Sequence, residues 1–436
     1  MESSGSQSYL ALLKTNRPFR NLWYGQVISE LGDWLNTIAI YSLILQLSGS
    51  GMAIATAMMA KLLPIFFVSP IAGVIIDRTS RKKVMIASDV LRFIIVLGFL
   101  LVDDEGDLWL VYTLVVLEIS MAGFFEPARS AIIPSLIARK DLVTANALSG
   151  STWSIMLAFG AALGGLVVSL FGIRTAFILD AFTFLLSAWF ISRIPIKLEK
   201  SYAQRKNHEQ GGYKNFIEGM RYLFAEPIIL GLSLLKTGLA ISGGIMTLIP
   251  LYAHQLLASP SAISLGIGVM YSARGVGAAI GPVLVRKIFG DSPRVLKTAI
   301  SSGFFLGAVS YAFMIQSDSL LGASVCIGLA TLFGSIIWVY SSALIHMEAE
   351  EEFLGRIFST ELGILTLVMG ISNWAVGFAV DQLELSLETV VFWMAGLLVV
   401  PGILWIGFLL FVDRQLKRGK SVGTFQRDQP GGWPQY

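Results

Sequence analysis

Apolar residues in this chain gather into runs of about twenty positions separated by short polar breaks, the length at which a helix crosses a hydrocarbon core. The runs lie near residues 21–47, 52–76, 84–102, 108–127, 143–170, 174–192, 228–252, 262–285, 297–316, 320–345, 357–380 and 387–412. Strands of a membrane barrel would instead alternate in polarity over roughly ten residues. Leu108–Phe125 and Val390–Val412 are apolar at nearly every position, which rejects that pattern. The sequence therefore predicts an all-α polytopic membrane protein with twelve transmembrane helices.

Composition agrees with the pattern: 55% of the 436 residues are hydrophobic, 14% are charged and the mean hydropathy is +0.71. A soluble chain carries roughly 25% charge. The placement of charge adds sidedness, because cytoplasmic loops accumulate Lys and Arg. Of the 32 basic residues, only Arg174 falls in an expected outer loop, and Lys61, Arg92, Lys236 and Arg274 fall within spans. All the others lie on one side if both termini are cytoplasmic, whereas Asp103, Asp104, Glu105, Asp107, Asp318, Asp381, Glu384 and Glu388 lie on the other. The expected location is thus the plasma (inner) membrane, with N- and C-termini inside. The net charge of +3 is a topological signal, and no basic stripe with interleaved aromatics suggests nucleic acid.

Residues 193–227 form the longest polar break and divide the spans six and six. The expected organisation is an N-terminal six-helix bundle over 1–192, a cytoplasmic central loop over 193–227, a C-terminal six-helix bundle over 228–412 and a disordered cytoplasmic tail over 413–436. A faint internal repeat supports pseudo-symmetry. Gly73 precedes Asp77-Arg78 after the second run, and Gly281 precedes Arg286-Lys287 after the eighth, with Val285 where the acid would fall. The N-terminal segment lacks the layout of a cleaved signal peptide; Tyr9, Leu10, Leu12 and Leu13 form either a short interfacial helix or a frayed terminus.

Several chemistries find no support. Cys326 is the only cysteine, so intrachain disulfides are impossible and a thiolate metal site is not expected. No phosphate-binding Gly-x-x-x-x-Gly-Lys-Ser/Thr segment occurs, so ATP is not the direct energy source. No clustered His, Asp or Ser constellation suggests catalysis, and neither cofactor nor metal is expected.

The loop between the second and third runs reads Gly73-x-x-x-Asp77-Arg78-x-Ser80-Arg81-Lys82-Lys83. It resembles the loop 2–3 signature of the major facilitator superfamily. Further segments resemble the branch that holds macrolide-efflux proteins and enterobactin exporters: Phe19-Arg20-Asn21-Leu22-Trp23 with Gly32-Asp33, Asp89-x-x-Arg92, Phe125-Glu126-Pro127-Ala128 with Pro134, Leu179-Asp180-Ala181, and Gly355-Arg356-Ile357-Phe358-Ser359. The resemblance implies the major facilitator fold, two six-helix bundles that rock around a midplane site. Two departures matter. Gly160-Ala161-Ala162-Leu163-Gly164-Gly165 lacks the proline of many antiporters, and the fourth span presents Glu118 without the mid-membrane arginine of many proton antiporters.

Charges within spans are the prime candidates for function, since an ionised side chain at a helix centre costs at least about 2.5–3.5 kcal/mol on insertion scales. They are Glu30 and Asp33 in span 1, Lys61 in span 2, Glu118 in span 4, Lys236 in span 7, Arg274 in span 8 and Glu361 in span 11. The resemblance implies that these spans line the cavity and that spans 3, 6, 9 and 12 stand outside, which makes Asp180 structural. Gln26, Glu30, Asp33 and Thr37 share one helical face, at heights that allow an ion pair with Lys61. That pair is either a protonatable coupling site or a permanent structural link. Arg274 and Lys236 either hold an anionic substrate or balance Glu361.

The loop suggests a conformational latch made of Gly73, Asp77, Arg78, Arg81 and Lys82, with Asp89, Arg92, Glu126, Arg129 and Arg356 as partners near cytoplasmic span ends. Its simpler reading is a topology signal. The expected function is a secondary active transporter that exports amphipathic small molecules, drug-like or siderophore-like, by alternating access with proton antiport. Its expected partners are the bilayer, a small-molecule substrate and protons. A lipid or lysolipid translocator is the alternative within transport. A receptor or an intramembrane enzyme is the alternative outside it.

Overall fold

A computed structural model describes residues 8–195, 221, 223–224, 226–290 and 292–417, and among these every regular element is helical. Most of the expected central loop and of the expected tail lies outside the described residues. Helix α1 spans Tyr9–Thr15, α2 Arg17–Leu47, α3 Gly51–Arg78, α4 Arg81–Gly98, α5 Leu108–Leu136, α6 Leu142–Phe171 and α7 Ile173–Ser192. The second half comprises α8 Pro227–Ala240, α9 Ile245–Leu256, α10 Pro260–Phe289, α11 Pro293–Met314, α12 Leu320–Glu348, α13 Glu351–Asp381 and α14 Leu387–Lys417. Helix α14 carries the chain past the expected boundary at 412, so Asp413–Lys417 are helical.

Eleven of the membrane-length segments are apolar enough to span a bilayer by themselves, with α8 and α9 counted as one. Helix α2 is the exception among the twelve expected. It is 31 residues long, but Gln26, Glu30, Asp33 and Asn36 lower its hydropathy. Such a helix needs protein or water along its polar face, and α2 has it, packing between α6 and α7. Gly25 brings it close to Ser187, and Gly160 and Gly164 of α6 admit Trp34.

Local chemistry explains where the helices begin and break. Asn16 accepts the amide of Phe19 at 2.9 Å and donates to the Leu136 carbonyl at 2.7 Å, so one side chain caps α2 and ties it to α5. Leu12 of α1 is buried in the same cluster as Phe19, Leu22 and Leu136, so this short helix is docked rather than frayed. Span 7 breaks at Ile241–Gly244, a 3₁₀ turn rich in glycine. Ser372 of α13 repairs it, donating to the Ile241 carbonyl at 2.5 Å and accepting the Gly244 amide at 3.0 Å.

The two sets of six spans meet along α3 with α13 and α6 with α10. At α6 and α10 the backbones nearly touch. A Cβ on Gly165 would lie 2.9 Å from the Gly268 Cα, and one on Gly275 would lie 2.5 Å from the Ala158 amide nitrogen. Glycine alone fits there. At the start of α3, Asp381 accepts from the Gly51 and Met52 amides at 3.0 and 2.8 Å and from the Ser50 hydroxyl at 2.5 Å. A carboxylate from one half thus caps a helix N-terminus of the other, where the helix dipole favours negative charge.

We call this the sealed end. Along α3 one face then becomes exposed: Ile54, Ala55, Ala57 and Met58 are buried, whereas Phe66, Phe67, Ile71, Val74 and Ile75 are exposed. Of the α3 residues that follow Pro64 and have a described side chain, only Ala72 and Ile76, packed within the first half, stay buried. Toward the opposite end, a Cβ added to Gly73 or to Gly355 would meet nothing within 4 Å. That opposite, open end carries the start of α2 and the end of α3.

Replacing Asp381 with Ala should weaken the seal. Losing one cap is worth about 0.5–2 kcal/mol, so the ratio of open to sealed conformers should shift roughly two- to thirty-fold. Cysteines at Ser42 and Ser264, whose hydroxyls lie 2.8 Å apart across the sealed end, would report the shift as a lower cross-linking yield in a Cys326→Ser background. An unchanged yield would mean that the cap holds nothing.

Candidate functional site

At the middle of α2, two carboxyls share one guanidinium. Arg92 of α4 pairs with Asp33 Oδ1, and the same Nη2 lies 3.4 Å from Glu118 Oε1 of α5. Its other amine approaches the Ser29 hydroxyl at 3.4 Å, and the guanidinium lies 3.9 Å from the Phe184 ring centroid of α7. Asn36 donates to Glu118 Oε2 at 2.6 Å. Arg92 and Glu118 side chains are each 3% exposed, but Asp33 is 38% exposed. Asp33 is therefore the member of the set that solvent reaches. Oδ1 is engaged by Arg92, and Oδ2 makes no hydrogen bond among the described residues.

This arrangement corrects the pairing expected from span heights. Lys61 does not take Asp33 or Glu30; its ammonium meets the Thr37 hydroxyl at 2.5 Å and lies 5.8 Å from the Tyr41 ring centroid. The reason is reach: Arg92 spans two carboxyls with its planar fork, while Lys61 stops one helical turn beyond them. Arg92, expected as a latch partner at a cytoplasmic span end, is instead the twelfth residue of α4, roughly 16 Å along it. The mid-membrane arginine missing from span 4 is thus supplied by span 3. Asp180 of span 6 is also buried against α2, where a Cβ on Gly32 would strike it. Spans 3 and 6 contribute charge to the interior.

Glu30 belongs to a separate network nearer the open end. Gln26 donates to Glu30 at 2.8 Å and to the Ser149 carbonyl at 3.1 Å, and Arg129 donates to Gln26 at 2.9 Å. Arg129 also pairs with Glu126 at 2.6 Å. These contacts join α2, α5 and α6.

In the second half Lys236 and Glu361 form a buried pair at 2.7 Å, and the ammonium lies 5.0 and 5.2 Å from the Trp338 and Phe358 ring centroids. Arg274 is different. Its guanidinium lies 5.9 Å from the Tyr271 ring, and no carboxylate among the described residues comes within ion-pair distance. Of the two readings for these cations, Lys236 balances Glu361, and Arg274 has no acid among the described residues.

Four of the candidate latch residues, Lys82, Arg92, Glu126 and Arg129, have partners within the first six spans. Lys82 caps α7, donating to the Ser192 and Ile194 carbonyls at 2.7 and 2.6 Å. Arg92, Glu126 and Arg129 also find partners within the first six spans, and Asp89 is fully buried. Arg78 is exposed, Arg81 is half-buried, and the side chains of Asp77 and Arg356 lie outside the described residues. Sequence reasoning missed Ser29 and Asn36, although their spacing of four and three around Asp33 extends its polar face.

Known proteins resemble this chain in sequence and in fold. A family model described as transmembrane secretion effector, within the major facilitator superfamily, matches residues 7–352. The putative bacilysin exporter BacE of Bacillus subtilis is 26% identical over 387 residues, covering 87% of this chain and 92% of that one. The enterobactin exporter EntS of Shigella boydii is 25% identical, covering 80% and 82%. An uncharacterised transporter of this type from Bacillus subtilis, YfiS, is 28% identical, but the match spans about half of each chain. The crystal structure of the nucleoside transporter NupG superposes with a TM-score of 0.67 at 16% identity over 91% of this chain, a likeness of fold.

Proposed function

Because this chain belongs to the transmembrane secretion effectors of the major facilitator superfamily, a family of transporters and not of enzymes, we propose that it exports amphipathic small molecules by proton antiport. The observation that carries the reading is the Asp33–Arg92–Glu118 set, in which one acid is partly exposed and the other two members are buried. With both carboxyls ionised, Arg92 is shared. A proton on Asp33 removes its half of the attraction and leaves Arg92 to Glu118, so α2 and α4 exchange one arrangement for another. A cargo group that competes with the proton at Asp33 couples the two fluxes in opposite directions.

In this reading residues 1–192 and 228–412 are the rocking bodies, the termini are cytoplasmic, and the open end faces the cytoplasm of a cell bounded by the inner membrane. Asp381 then locks the outer side. Closing the open end brings the loop Gly73–Lys83 toward the start of α13, where Asp77 and Arg356 act as the latch. Glu30, held by Gln26, serves as a structural acid.

The test is efflux of a cationic dye from proteoliposomes with and without a pH gradient. Asp33→Asn should abolish the gradient-driven component and weaken dye exchange across the membrane, and Glu30→Gln should retain both. Gradient-driven flux that survives Asp33→Asn would exclude antiport through this acid.

A further inference from the structure

Two charged groups in the middle of this protein combine spare bonding capacity with partial exposure, and they stand on opposite halves; the oxygens of Glu30, Asp89, Asp180 and Glu361 that lack a partner among the described residues are all buried. Among the described residues Asp33 Oδ2 makes no hydrogen bond and Arg274 has no acid within ion-pair distance. A guanidinium does not deprotonate in a protein, so Arg274 brings a permanent charge to the centre of a 30-residue membrane helix. An uncompensated charge at that depth is costly and calls for a partner. The remaining interior cations are committed. Arg92 serves Asp33 and Glu118, Lys236 serves Glu361, and Lys61 bonds Thr37 on the same side as the acids.

The two groups also lie at nearly one depth. Trp34 of α2 and Tyr271 of α10 meet across the halves, with ring centroids 5.6 Å apart, and Tyr271 stacks on Tyr41 at 6.0 Å. Both tyrosines are buried, so these rings form a floor that separates the open end from the sealed end. Helix α2 runs toward the sealed end and α10 away from it. Asp33, one residue before Trp34, and Arg274, three residues after Tyr271, are therefore both displaced toward the open end. At 1.5 Å per residue their depths differ by about 3 Å.

We infer that the cargo is a zwitterionic amphiphile, whose cationic group docks on Asp33 and whose carboxylate or similar anion docks on Arg274, with its apolar body against the aromatic floor. This rests on the antiport reading and sharpens it. A purely anionic cargo would be favoured by protonation of Asp33 and would move with protons; a cationic group at Asp33 competes with the proton, as antiport requires. A cargo held by one charge on each half also links binding to the approach of the halves.

A matched aryl series separates the terms: 3-(1-naphthyl)alanine carries both charges, 2-(1-naphthyl)ethylamine only the cation and 3-(1-naphthyl)propionate only the anion. Binding to the full-length protein in lipid nanodiscs is measured by equilibrium dialysis. The zwitterion should bind about ten- to hundred-fold more tightly than either analogue, the span of one charge-assisted hydrogen bond. Arg274→Gln should reduce the zwitterion to the level of the amine without changing the amine, and Arg274→Lys should recover part of the loss. Asp33→Asn should reduce it to the level of the propionate.

The inference is overturned if the amine matches the zwitterion, if no member of the series binds, or if Arg274→Gln weakens all three alike. Should Arg274→Gln fail to fold, the wild-type ranking decides alone. Binding needs no gradient, so loss of proton coupling with the ranking intact would sink antiport and leave the zwitterion site standing.

Discussion

Replacing Arg92 with methionine should destabilise the protein by about 3–5 kcal/mol, the cost of leaving buried charge without its partner. Arg92 is 3% exposed and is the cation that Asp33 and Glu118 share, and Lys61 points to Thr37 rather than to them. Methionine keeps much of the volume and the contact with Phe184, so the loss is electrostatic. The effect should depend on pH with a definite sign. Orphaned carboxyls are charged at high pH and neutral at low pH, so the penalty grows as pH rises and shrinks as it falls. Thermal unfolding in lipid nanodiscs, followed by tryptophan fluorescence between pH 5 and 9, would show the gap between variant and wild type widening. The triple variant with Asp33→Leu and Glu118→Leu removes the orphans and should recover most of the stability while transport stays absent. A pH-independent loss that the triple variant fails to restore would assign Arg92 a packing role.

Gly275→Val should stop transport by a different route. A Cβ at this position would lie 2.5 and 2.6 Å from the Ala158 amide nitrogen and Cα, backbone atoms with no rotamer to give way. The first and second halves would have to part at the crossing of α6 and α10, so the sealed conformation becomes inaccessible and the cycle cannot complete. Each half keeps its own packing, because α10 meets α12 through Gly277 and Gly281 on another part of the helix. The expected result is background transport, near wild-type melting of the protein, and loss of cross-linking between cysteines at Ser42 and Ser264. Full cross-linking in the variant would show that the crossing tolerates the side chain. The sites of Arg92 and Gly275 share no partner, so their stability effects should add.

The candidate site is partly legible in the amino-acid sequence. Glu30, Asp33, Lys61, Glu118, Lys236, Arg274 and Glu361 stand out because a bilayer penalises every charge within a span, so each survivor advertises a purpose. Their partners do not stand out. Asp33 meets a residue 59 positions away and Lys236 one 125 positions away, and hydropathy assigns a depth to each without saying which helices are neighbours. Arg92 is misplaced by sequence reasoning for that reason: a motif that links it to Asp89 along the chain is silent about the carboxyls it reaches across the bundle. The same limit applies to Asp381, which reads as one acid among several in a polar loop and proves to cap a helix of the other half.

The amino-acid sequence by itself determined that this protein is a helical membrane protein, where its spans fall, and that its interior holds charge. In hydrocarbon each span must satisfy its own backbone hydrogen bonds, so the fold class is written in local runs of apolar residues. Only the tertiary structure decided which charges pair, which end is sealed, and that Asp33 and Arg274 keep open valences at one depth on facing halves. Those outcomes depend on helix contacts of a few ångströms between segments remote in sequence, where a glycine or the reach of one guanidinium selects the neighbour.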